Sequence, residues 1–300
     1  MRHSIPAGLL CLCVSAPAAT QPAAAQFRAL AVPITYSQNY DPSLSPDGKR
    51  MVFLKALEGH ETLFIGNSDG SGEKQLLRGS ADIEDPAWSP DGRQIAYVRI
   101  EAGKKSLHVM AIDGSGDHGV TPASQSPIHP AWTPDSKALL YCTDDDLDPP
   151  RKNAAEIYRL DLATGRIATL LSGGVNTYPV ASPDGRRIAF RKFAENNSEV
   201  FVMGSDGKNV RNLTDHPAFD GWPEWSPDGK RIAFASNRNS AYQIFVMNDD
   251  GSNAKLVANT EGRATAPKWS PDGKLIYFTN CWQTGLASAC EIFVAPAPAS

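Results

Sequence analysis

Six residues at near-constant spacing each stand immediately before a proline: Asp41, Asp85, His129, Tyr178, Trp222 and Ala266. Carboxylates, an imidazole and flat aromatic rings are the groups that hold a cation or donor on one side of a pocket and stack an apolar or sugar face on the other. Glu224, two residues beyond Trp222, adds another carboxylate. No acid–base pair sits at a fixed local spacing, so the set reads as a binding constellation with no catalytic residue. A purely structural demand on a repeated position would have settled on one residue type. An enzymatic reading of the same residues needs a divalent cation held by Asp41, Asp85 and His129.

Other chemical patterns fail on context. Gly66-Asn67-Ser68-Asp69-Gly70 matches G-x-S-x-G, but it falls on a hairpin turn with no helix after it to form a nucleophile elbow. Gly114 to Gly119 matches G-x-G-x-x-G, yet the Gly-Val-Thr-Pro stretch beginning at Gly119 cannot start the helix that would hold a pyrophosphate. His60, His108, His118, His129 and His216 lack the paired spacing of a metal site. Asp144, Asp145, Asp146 and Asp148 lack the glycine and terminal glutamate of a calcium loop and read as a solvated acidic loop.

The six pre-proline residues belong to a larger repeat. A second Pro-Asp pair recurs at Pro46, Pro90, Pro134, Pro183, Pro227 and Pro271, at a period of 44 residues broken once by a 49-residue gap. In each copy Ser-Pro-Asp-Gly or a close variant supplies a tight turn: Pro presets φ, Asp bonds local N–H groups and Gly accepts positive φ. The stretches between are apolar, rich in β-branched and aromatic residues, and too short for stable helices. In the fifth copy they predict strands at 223–226, 231–235, 243–247 and 254–258. Each copy is therefore one four-stranded sheet. Neither face of such a sheet is covered alone, and a closed ring covers all of them, which predicts an all-β, six-bladed propeller of antiparallel blades over residues 26–300. Leu44, Trp88, Trp132, Trp225 and Trp269, with Ala181 as the exception, become wedges between blades. The sixth copy holds only three strands, and Arg28 to Thr35 is the candidate for the missing fourth.

The pattern P-x-W-S-P-D-G-K-x-I-A-F followed by I-F-V-M-x-x-D-G-S is similar to the repeats of the TolB-type β-propeller family over residues 28 to 295. The resemblance implies the propeller fold and an interaction role. Related blades also occur in prolyl-oligopeptidase-type enzymes and oligogalacturonate lyases, so an alternative is a metal-dependent lyase acting on an acidic sugar. TolB carries an α/β domain ahead of its propeller, and this chain has about fifteen residues in that place.

The ends of the chain and its charge place it further. Residues 1–25 run from Arg2 through an apolar centre to Ala23-Ala24-Ala25, the order of a secretory signal peptide with a mature start at Gln26. No apolar run is long enough to span a bilayer, so the expected location is periplasmic or secreted. With 29 basic and 33 acidic residues and no long basic block, nucleic acid is not an expected partner. A protein segment or a small polar ligand is, bound by a monomer without a resident cofactor. Cys281 and Cys290 flank a predicted hairpin and are expected to form a disulfide, as export permits, while Cys142 on a strand is expected to be a buried free thiol.

Overall fold

The computed structural model describes residues 28–29, 39–57, 59–122, 125–143, 154–194, 197–284 and 287–299. Residues 1–27, with the predicted leader, and the acidic run 144–148 lie outside them. The described residues form six four-stranded antiparallel sheets. Blade 1 consists of Asn39–Leu44, Arg50–Leu57, His60–Asn67 and Lys74–Gln75. Blade 2 follows with Asp82–Trp88, Gln94–Glu101, Lys104–Ala111 and His118–Gly119, and blade 3 with Pro127–Trp132, Ala138–Thr143, Ile157–Asp161 and Ile167–Leu171. Blade 4 comprises Val175–Ala181, Arg187–Ala194, Asn197–Gly204 and Arg211–Asn212; blade 5 comprises Asp220–Trp225, Arg231–Asn239, Ala241–Asn248 and Lys255–Ala258. Blade 6 takes Arg263–Trp269, Leu275–Thr284 and Ala287–Pro296 from the end of the chain. Its outermost strand is Arg28–Ala29, paired antiparallel with Val294 and Phe293. The ring is thus closed by the N-terminal segment, as expected; residues 30–35 of the expected strand lie outside the described residues.

Most strands run longer than the apolar pattern marks. In blade 5 the first strand starts at Asp220 and the hairpin between the second and third narrows to Asn239–Ala241. Polar residues continue the ladder beyond the apolar run: Asp220, Ser236 and Gln243 pair across the three strands there and are all buried.

The turns do what their residues dictate. Ser45 Oγ donates to Asp47 Oδ1 at 2.6 Å, which in turn accepts from the Lys49 N–H, and the Gly48 N–H closes onto the Ser45 carbonyl at 2.8 Å. The hydroxyl contact recurs at Ser89, Thr133, Ser182, Ser226 and Ser270. It holds each turn aspartate below the ordinary carboxylate pKa. The turns at Gly207 and Gly251 also meet the previous blade. A Cβ there would stand 2.1 Å from the Leu170 carbonyl oxygen and 2.3 Å from that of Leu213, so only glycine allows the blades to approach.

Between blades the core is continuous. Val52, Leu54, Leu63 and Ile65 of blade 1 pack on Trp88, Ile95, Tyr97 and Met110 of blade 2, and similar clusters fill the other interfaces. The tryptophan wedges are buried. Trp132, Trp225 and Trp269 donate Nε1–H to the carbonyls of Ala87, Val180 and Glu224 on the preceding blade. Arg50, Arg187 and Arg231 lie over Trp88, Trp225 and Trp269 at 4.6–5.2 Å, a cation–π arrangement spanning each interface. At the seam between blades 6 and 1, Asn39 Nδ2 donates to Glu291 Oε2 at 3.1 Å and the Asp41 N–H to Thr279 Oγ1 at 2.9 Å.

Cys281 and Cys290 face each other across the blade 6 hairpin and are joined in a disulfide. Cys142 is buried and outside any disulfide. The segment at Gly66–Gly70 is a hairpin turn, and Gly119 lies on an outer strand pairing with His108. Among the described residues no helix is long and apolar enough to cross a membrane.

Candidate functional site

The first strand of each blade lines the central channel, a cavity of about 580 Å³. Asp41, Asp85, His129, Tyr178, Trp222 and Ala266 all line it, as does Glu224. Alternation along a regular strand is not what brings them there. Each sits at φ between 49° and 56°, in the left-handed region, and at each the register to the second strand slips. A β-bulge re-aims a side chain in this way. The cost for a residue with a Cβ is about 1–2 kcal/mol, and a proline neighbour disfavours the conformation further.

The channel mouth divides into two arcs. Asp41 and Asp85 of blades 1 and 2 supply the acidic one, with Glu61, Glu84 and Asp82 near them outside the cavity lining. Burial, reinforced by the charge of Asp85, pushes Asp41 up to about 7, with Lys268 pulling the other way. Glu61 is raised by burial and by the charges of Glu84, Asp82 and Asp85. The phenol of Tyr40 is buried against the Glu61 carboxylate without a hydrogen bond of good geometry, and its pKa is raised by burial and by that carboxylate. Lys105 pairs with Glu84 at 2.8 Å. Deeper in the channel Glu224 pairs with Lys268 at 2.9 Å, bridging blades 5 and 6.

His129 joins this arc to the next. Its backbone N–H donates to Asp85 Oδ2 at 2.9 Å, its Nε2 lies 3.9 Å from the same oxygen, and its Nδ1 lies 3.3 Å from Cys142 Sγ. Its ring stacks on Tyr178 with centroids 3.6 Å apart. From there the aromatic run continues: Tyr178 to Trp222 at 5.2 Å, then Trp222 edge-on to Tyr242 at 5.5 Å. Burial raises the phenol pKa of both Tyr178 and Tyr242. Two guanidinium groups border this surface. Arg191 lies 4.9 Å from the Tyr178 ring and 5.5 Å from Trp222; Arg263 lies 5.5 Å from Trp222 and 4.8 Å from Tyr242.

Sequence reading did not single out Tyr40, Glu61, Arg191, Tyr242, Arg263 or Lys268. A signal for Arg191 existed. Thirteen residues after the pre-proline position the other copies carry Leu54, Val98, Cys142, Ala235 and Thr279, so an arginine there departs from an otherwise uncharged set.

Among the described residues no three His, Cys, Asp or Glu side chains converge as a metal-ligand group. The arrangement can bind. It offers acidic, aromatic and basic surface around one opening.

The comparisons with known proteins agree with this architecture. The family model for the TolB β-propeller domain matches residues 25–148 and 150–291. No curated protein matches the chain. A putative TolB from Agrobacterium tumefaciens is 25% identical, with 88% of this chain and 92% of that one covered and a TM-score of 0.66. TolB from Acinetobacter baumannii is 21% identical over 89% of this chain and 65% of its own, with a TM-score of 0.67. An oligogalacturonate lyase from Vibrio parahaemolyticus, 14% identical over 91% and 94%, has a TM-score of 0.63 and is similar in fold alone. With both stretches of the family model covering nearly all of its six blades, the chain belongs to the TolB β-propeller domain family.

Proposed function

We propose that this propeller is exported and that, as a monomer, it binds a protein segment or small polar ligand at the channel mouth, acting by interaction and not by catalysis. One observation carries the reading. Six repeat-equivalent positions share a single strained backbone conformation but carry Asp, Asp, His, Tyr, Trp and Ala. The fold demands the bulge, and the bulge puts up with almost any side chain, so the asymmetry of the ring is free to serve recognition. The Cys281–Cys290 disulfide supports an oxidising compartment, as does the leader-like sequence of residues 1–25.

The lyase reading keeps the fold likeness as its support, while among the described residues no ligand set for a divalent ion converges. A photo-crosslinking residue at position 266, inside the mouth, tests the binding reading in the cell of origin. A discrete adduct is expected there and not from position 272 on the opposite, turn-bearing face, and it should weaken with Trp222→Ala or with Asp41→Asn plus Asp85→Asn. No adduct at 266, or equal adducts from both faces, overturns it.

A further inference from the structure

Arg191 is an exception within its own repeat. The equivalent residues in the other blades are Leu54, Val98, Cys142, Ala235 and Thr279, of which the first four are fully buried and the fifth nearly so. Gly221, just before Trp222, is a second exception, since Tyr40, Glu84, Ile128, Thr177 and Thr265 occupy its place elsewhere. The two exceptions touch. A Cβ at Gly221 would stand 2.8 Å from Arg191 Cδ, so the missing side chain on blade 5 is what lets the arginine of blade 4 lie toward Trp222. Arg191 Nε donates to Thr177 Oγ1 at 2.9 Å. Its remaining guanidinium nitrogens, and all three of the exposed Arg263, have no acceptor among the described residues, and neither arginine forms an ion pair there. Stacking on an aromatic ring uses the face of a guanidinium and leaves its N–H edge for an in-plane acceptor, the geometry that matches a carboxylate.

The opposite arc sets the rest of the ligand. Asp41, Asp85, Glu61, Glu84 and Asp82 gather at blades 1 and 2; Lys105 pairs with Glu84, His60 with Asp82, and Lys268, which acts on Asp41, is itself paired with Glu224, so acidic groups outnumber basic ones on this arc. A polyanion such as an oligouronate would meet this field while reaching for the arginines, whereas a peptide can carry both signs.

Resting on the binding reading above, we propose that Arg191 and Arg263, flanking Trp222, form a carboxylate subsite, and that the occupant is a peptide segment bearing an acidic group for this subsite and a basic group or free amine for the Asp41–Asp85 arc.

A randomised short-peptide library screened against the purified mature protein tests this. The expected binders carry an Asp, Glu or free C-terminal carboxylate together with a Lys, Arg or free amine. Replacing the acid by its amide, or combining Arg191→Gln with Arg263→Gln, should weaken them about tenfold or more, and added salt should weaken them too. Gly221→Ala keeps both guanidinium groups but displaces Arg191, and is expected to weaken binding as well. Should the double variant not fold, Gly221→Ala and the exposed Arg263→Gln decide alone. Binders without a carboxylate, affinity unchanged in these variants, or no binders at all overturn the proposal. Arginine-dependent binding of trigalacturonate in place of peptides overturns the peptide assignment. If crosslinks from position 266 form while the library fails, the mouth binds and only the chemistry proposed here falls; if both fail, both readings fall.

Discussion

Asp41 shows how one residue records the design of the mouth. Its carboxyl titrates near 4 in an unfolded chain and at about 7 in the folded one, first because it is buried and then because Asp85 is close. A raised folded pKa means that the native state binds the extra proton. The associated stability is full below pH 4 and is lost as pH rises to 7. Asp41→Asn cannot ionise, so at pH 8 it should be more stable than the parent by on the order of 1–3 kcal/mol and should match it near pH 4. Thermal melts at both pH values check this, and an equal difference at each would refute it. Ala266 tests the strain itself. At φ 51° it has a Cβ that the left-handed region penalises, and Ala266→Gly should stabilise by about 0.5–1 kcal/mol, measured by denaturant unfolding. That Asp, His, Tyr, Trp and Ala stand before proline was plain in the sequence. Their left-handed backbone was not, because the residue before proline ordinarily takes an extended conformation and the other one comes with a bulge in the pairing of the first two strands of each blade.

Among the elements, the seam between blades 1 and 6 differs from the other five interfaces because its partners lie at opposite ends of the chain. Glu291 is pushed up to about 7 by burial, while Asn39 donates to it and Lys55 lowers it. The Oδ1 of Asn39 is buried there without a hydrogen bond. A glutamine at 291 could accept from Asn39 Nδ2 and donate to its Oδ1, completing an amide pair with no charge to bury. Glu291→Gln is therefore expected to raise the melting temperature above pH 7, where the parent must ionise Glu291, and to change it little near pH 4. A lower melting temperature at pH 8 would contradict the account. The strands and turns themselves were legible from Ser-Pro-Asp-Gly and the apolar runs between, since these depend on local φ preferences and side-chain burial. Strand lengths were less so: Asn237 and Arg238 extend their strand across a register shift, held by side-chain bonds to the Phe219 N–H and the Asp220 carboxylate that no local pattern marks.

At the scale of the molecule, stability depends on closing the ring. Arg28–Ala29 completes blade 6 by pairing with Phe293 and Val294, and its removal leaves the strand Ala287–Pro296 as an open edge. A variant starting at residue 36 should melt several degrees lower, as loss of about 1–2 kcal/mol implies for a domain of this size, and should aggregate more readily. An unchanged melting temperature and solubility would show that closure lies elsewhere. The sequence by itself determined the number of blades, the tight turns, the disulfide and the closing segment, because each follows from a repeat period or from chemistry acting over a few residues. Only the tertiary structure decided which charges share the mouth. Arg191 meets Trp222 because Gly221, thirty residues on, has no side chain, and Asp41 meets Asp85 because two strands 44 residues apart turn the same bulge toward one axis. Forces between such groups depend on distance and burial, and these exist only once the ring is closed.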